Sequence, residues 1–166
     1  DYNTSYLARG AYTGISGVEF VARFAGAYGN SLSISVCPSA TAYEAVAVTT
    51  VNDSAVSAGD TTITVTSGTN IGVGDVIAFS TTAGTNDYDD GVEYEVTAVS
   101  SNDITLKKRV GSGGLSRVIT NGANVRRRWK YYDQVSGAPG TSPDVSAAGG
   151  SNDEMHIIVV DADGTI

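Results

Sequence analysis

Apolar and polar positions alternate along several short stretches of this chain, and the period is two. From Ser31 to Cys37, Leu32, Ile34 and Val36 fall on one side and Ser33, Ser35 and Cys37 on the other, which predicts a half-buried strand stopped by Pro38. Residues 61–66 (Thr-Thr-Ile-Thr-Val-Thr) repeat the pattern, as do residues 92–99, where Val92, Tyr94, Val96 and Ala98 oppose Glu93, Glu95, Thr97 and Val99. Val76–Phe79 and Ile104–Lys107 are further short strands, and the latter follows a turn at residues 101–103. Glu19–Phe24 is a candidate strand and Arg117–Thr120 another. Val125–Tyr132 fits strand or helix. Gly-, Asn- and Asp-rich turns separate these runs, and residues 136–152 form a Gly/Pro/Ser loop. Residues 1–17 lack periodicity and read as loop or arm.

Ile157–Val160 breaks the alternation. Four consecutive β-branched residues predict a strand buried on both faces, and the chain has almost no amphipathic helix to cover one. An Asp-Gly turn at residues 163–164 should lead into another strand. The expectation is a chain incomplete as a folding unit, either a fragment or one whose sheet is completed by neighbouring subunits.

Composition agrees with the pattern. Valine occurs 20 times and leucine 4 times. Gly, Ala, Ser and Thr fill 75 of 166 positions, which leaves a lean core. Branched Val, Ile and Thr fit a pleated strand, so a helix bundle is disfavoured. The fold class expected is α+β and β-rich. A core fragment with a mixed sheet, residues 1–45 and 125–166, is interrupted by a small all-β barrel or sandwich at 46–124.

Charge narrows the function classes. The net charge is −8, from 18 acids and 10 bases, which weighs against nucleic acid as a partner. The bases are segregated. Residues 31–106 hold ten acids and no base, 107–130 eight bases and no acid, and 131–166 six acids and no base. Arg126, Arg127, Arg128 and Lys130 around Trp129 are therefore candidates for a contact surface. They pair with Glu93/Glu95 inside one module or face an acidic patch on another subunit. No apolar run approaches the ~20 residues of a membrane span, so no membrane partner is expected.

Specific chemistry is sparse. The single cysteine, Cys37, excludes an internal disulfide, and the single histidine, His156, excludes a His-rich zinc site. Cys37 and His156 as a nucleophile–base pair have no local support, and a packed cysteine and a carboxylate-satisfied histidine are the plainer readings. Asp87, Asp89 and Asp90 are weak metal candidates of the Ca²⁺ type. They lack the bidentate Glu of an EF-hand loop, and a solvated hairpin tip is the plainer reading. No enzyme and no cofactor are expected.

Two segments resemble one family. Phe20-Val-Ala-Arg-Phe-Ala-Gly-Ala-Tyr-Gly-Asn-Ser-Leu-Ser-Ile-Ser-Val-Cys37 is similar to the aromatic–Ala–basic–aromatic, Gly-Asn-Ser, alternating-strand segment of contractile tail sheath proteins of myovirus-type bacteriophages. Ala138-Pro-Gly-Thr-Ser142, and then Asp153-Glu-Met-His-Ile-Ile-Val-Val-Asp-Ala-Asp-Gly164, resemble a later segment of the same proteins. Together the segments cover roughly a third of the chain, in the family's order, and the β module lies between them as an insertion. The resemblance implies a structural virion protein of the phage tail, made in the host bacterial cytoplasm. Its subunits form rings stacked around a tail tube, contract after a baseplate signal, and are linked by arms that add strands to neighbours' sheets. Partners would be other sheath subunits, the tail tube and baseplate proteins, with Ile157 and Val159 as further interface candidates. The rival reading is a β-rich carbohydrate- or Ca²⁺-binding adhesion module, motivated by nine tyrosines and the Asp cluster.

Overall fold

The computed structural model describes Gly29, residues 31–88 and residues 91–162. These fall into two compact units, one of residues 31–36 with 156–162 and one of residues 37–155. The expected strand at Glu19–Phe24 and the turn at 163–164 lie outside the described residues. The described residues are β-rich, with two antiparallel sheets and few helices.

The smaller unit is a two-stranded ribbon of β1 (Leu32–Cys37) and β8 (His156–Asp161). The Ala162 amide donates to the Ser31 carbonyl (2.9 Å), so the start of β1 lies beside the end of β8 and the strands run antiparallel. The sequence predicts both faces of Ile157–Val160 buried. Instead Ile157 and Val159 are 50% and 58% exposed, while Ile158 and Val160 are half-buried. Leu32 and Ile34 on β1 are also exposed. Among the described residues, the two strands supply no layer over either face.

The larger unit begins with a short helix α1 (Ala40–Tyr43), capped by the Ser39 hydroxyl, which accepts the Ala42 amide at 3.1 Å. Six strands follow: β2 (Glu44–Thr50), β3 (Thr62–Thr64), β4 (Val76–Ala83), β5 (Tyr94–Ser100), β6 (Asp103–Lys108) and β7 (Ala123–Arg128). All neighbours are antiparallel, in the order β2-β7-β4-β5-β6-β3. The two outer strands then meet. Val51 bridges Val65, the Asn52 amide donates to the Thr64 carbonyl (2.9 Å), and the Thr66 amide donates to the Thr50 carbonyl (2.8 Å). The sheet therefore closes into a barrel. Within it lie Val51, Ile63, Val65, Ile77, Phe79, Tyr94, Val96, Ile104, Leu106 and Val125, all at most 2% exposed. Strand alternation places them there, because every second residue of each strand points inward.

The closure depends on local devices. Between Phe79 and Ala83, β4 carries two more residues than β7 does between Val125 and Ala123. The bulge is satisfied by side chains: the Asn124 amide donates to Ser80 Oγ, which donates to the Thr82 carbonyl, both at 2.8 Å. Arg117 Nη2 donates to the Phe79 and Ser80 carbonyls. Residues 117–120, a candidate strand by sequence, are loop. β2 bulges likewise opposite β7 between Ala45 and Thr49. Gly68 packs on the β5–β6 turn, where a Cβ would overlap the Ser101 carbonyl oxygen.

The barrel takes in Glu44, Ala45 and all of β7, so its strands run past residues 46 and 124 at both ends. Its entry and exit are adjacent: Glu44 pairs with Arg128, and the Trp129 amide donates to the Tyr43 carbonyl at 2.8 Å. After β7 come a 3-10 turn at Tyr132–Gln134 and a loop with a short helix, α2 (Pro143–Ala147). Ser142 ties this loop to Asp153, and the Gly140 amide donates to Glu154.

Candidate functional site

The charge-bearing feature of the larger unit is built on β7. Val125 continues the inward row begun by Ala123, so Arg126 and Arg128 point to the outer face. The register sets Arg126 opposite Ala78 and Arg128 opposite Val76, and both apolar residues are 2% exposed. The arginine stems lie alongside that outer apolar strip, and their charged heads gather above it.

One carboxylate, Glu93, collects those heads. It accepts from Arg128 Nη1 at 2.9 Å, Arg109 Nη1 at 3.2 Å and the Tyr132 hydroxyl at 2.6 Å, with Arg126 Nη2 at 3.5 Å. Glu44 sits 3.1 Å from Arg128 Nε and 3.8 Å from Arg126 Nε. Asp133 holds Arg109 Nη2 at 2.6 Å. Three arginines thus meet three carboxylates. The Tyr132 ring lies 4.8 Å from both the Arg109 and the Arg128 guanidinium, and the Tyr88 ring lies 4.7 Å from Arg126. The Tyr88 hydroxyl donates to the Val46 carbonyl in the β2 bulge, which pins the β4–β5 loop across β7.

The electrostatics follow from this packing. Burial opposes the charge of Arg109 and Arg128, but Asp133, Glu44 and Glu93 outweigh it and raise both above the usual guanidinium value. Burial, then Glu93, pushes the Tyr132 phenol up. Hydrogen bonds from Gln134 and then Arg109 hold Asp133 below the usual carboxylate range, against slight desolvation.

Arg127 does something different. It follows the inward row to the end of the barrel, where Nη1 and Nη2 donate to the Ala42 and Thr41 carbonyls (2.9 and 2.7 Å). It thereby caps the C-terminal end of α1. Asp75 lies 4.0 Å away, its carboxyl pushed up by burial against the Gly72 amide and Arg127. Arg127 also borders a pocket of about 560 Å³ with Ser39, Thr41, Ala45 and Asn70. Its buried Nε has no protein partner. Lys130 is exposed and lies over the Tyr131 ring at 5.2 Å.

Among the sequence candidates, the structure engages Arg126 and Arg128 with Glu93 inside the chain, while Glu95 takes Lys107 at 3.1 Å. Glu44, Arg109 and Asp133 join this cluster without a sequence signal, since they come from three distant segments. Asp87 is spent on the loop itself. It accepts from the Thr81 and Thr85 hydroxyls and from the Thr81 and Thr82 amides, which holds it well below the usual carboxylate range. Asp89 and Asp90 lie outside the described residues. Among the described residues, no group of three His, Cys, Asp or Glu side chains is placed to hold a metal ion, and no helix is long and apolar enough to cross a membrane. Cys37 is fully buried, with its thiol donating to the Ser39 carbonyl and its pKa raised by burial. Ile157 and Val159 stand exposed on β8.

Comparison with known protein families, with characterised proteins and with solved structures finds no match to this chain.

Proposed function

We propose that this chain is a non-enzymatic structural protein, a subunit or part of a subunit of a contractile phage tail sheath that associates with copies of itself around a tail tube. One observation carries the reading: the contrast between the two sheets. The barrel closes on itself, so its pairing groups are spent internally. The ribbon of β1 and β8 has only two strands among the described residues, with Leu32, Ile34, Ile157 and Val159 exposed. Neither strand contains Pro, Lys or Arg, the residues that usually blunt an edge against further pairing. These two strands come from the segments that resemble sheath proteins. A ribbon of this kind supports assembly by strand addition, where main-chain hydrogen bonds supply affinity without a specialised pocket.

In this reading the barrel is an appendage on the outer surface, spliced in through the adjacent Tyr43 and Trp129. Val159→Lys tests the reading. It places a charge on the exposed face of β8 and leaves the barrel untouched. Sedimentation velocity over a concentration series should show the parent chain associating and the variant monomeric, with unchanged far-ultraviolet circular dichroism. Equal association of the two proteins would count against strand addition at this ribbon.

A further inference from the structure

Five of the eight bases between residues 107 and 130 are consumed inside the chain. Lys107, Arg109, Arg126, Arg127 and Arg128 are each within 4.0 Å of a carboxylate of the same molecule, and the acids involved are Glu44, Asp75, Glu93, Glu95 and Asp133. Five bases thereby offset five acids. Asp53, Asp60, Asp87, Asp103, Asp153 and Glu154 instead accept from backbone amides and hydroxyls, which are neutral donors and leave the negative charge in place. Asp144 adds another at the start of α2. The net charge of −8 therefore rests on the remaining 13 acids against 5 bases, and residues 126–128 offer no free basic patch to complement them.

We infer that self-association of this chain is held back by its own charge and is switched on by ionic strength. The inference rests on the assembly reading above, and the partner it concerns is a second copy of the chain. Like-charged copies repel over a distance set by the Debye length, about 30 Å at 0.01 M salt and about 8 Å at 0.15 M. Added salt removes the repulsion and leaves the short-range pairing of the ribbon strands. The ion pairs of the Glu93 cluster are partly buried and are screened less than the outward carboxylates.

The test is light scattering on the intact chain across a sodium chloride series from about 0.01 M to about 1 M, beside the variant Asp53→Asn/Asp103→Asn/Asp144→Asn. None of these three residues belongs to the cluster, and the amides keep the shape of the carboxylates. The variant carries −5, so the repulsion between copies falls about 2.5-fold. The second virial coefficient should be positive at low salt and fall as salt rises, with association setting in afterwards. The variant should start from a smaller virial coefficient and associate at lower salt, which separates screening from salting-out. Association at low salt that dissolves on adding salt would overturn the inference, because it would mean complementary patches between copies. An unchanged salt requirement in the variant would overturn it too. A virial coefficient that falls while the chain stays monomeric at every salt overturns the assembly reading itself, and the switch with it.

Discussion

Glu93 stands where β5 begins, and four donors converge on its two oxygens. At that scale the cluster balances charge: Glu93 lies within reach of three guanidinium groups that would otherwise crowd one another. Glu93→Gln keeps the shape and removes the charge. Its side chain is 18% exposed, so the loss should be below that of a fully buried pair, about 2–3 kcal/mol. Urea unfolding should read it as a lower midpoint with an unchanged slope. Asp133 gives the pH dependence. Its pKa is depressed in the folded state by Gln134 and Arg109, so the carboxylate binds protons more weakly there than in the unfolded chain. Its contribution is fully present above the unfolded value of about 3.9 and is lost as pH falls through the lower folded value. The melting-temperature difference between the parent chain and Asp133→Asn should stay constant from neutral pH to about 5 and shrink towards pH 2. A difference that grows on acidification would contradict the assignment.

At the scale of elements, local pattern was readable and long-range pairing was not. Tyr94 and Val96 face inward and Glu93 and Glu95 are only partly buried, as the alternation predicts, but a bulge between Val96 and Ala98 reverses the rest, leaving Ala98 exposed and Val99 packed against the core. β1 departs from its pattern: Leu32 and Ile34, on the face expected to be buried, are exposed, and Cys37 on the other face is buried. The bulges of β2 and β4 leave no mark in the sequence, because they depend on what lies opposite. The run Val125–Arg128 shows the consequence. Three adjacent arginines read as one basic surface, yet strand geometry sends Arg126 and Arg128 to the cluster and Arg127 to the end of the barrel, under α1. The pairing of these bases with Glu93 was legible as one alternative. Glu44 and Asp133 were not, since folding alone brings them from outside the β5–β7 segment. Closure itself rests on residues 50–52 meeting 64–66, a contact that periodicity cannot announce. Hydrogen exchange checks it. The amides of Asn52 and Thr66 should be protected to nearly the same free energy as those of β5 and β6. Rapid exchange at both, with β5 and β6 still protected, would mean an open sheet.

At the scale of the whole molecule the two units differ. The barrel has a contiguous core, closed pairing and five bases paired internally. The ribbon has two strands among the described residues, with exposed branched side chains on both. The run Ile157–Val160 predicts a strand buried on both faces; instead Ile157 and Val159 are exposed, and Ile158 and Val160 are half-buried. The proposed assembly requires the ribbon to be completed by other copies of the chain in an ordered tube. Negative-stain electron microscopy at raised salt tests this. Rings or tubes with a regular axial repeat are the expected result. A uniform field of isolated particles, at concentrations where the protein remains folded, would contradict it.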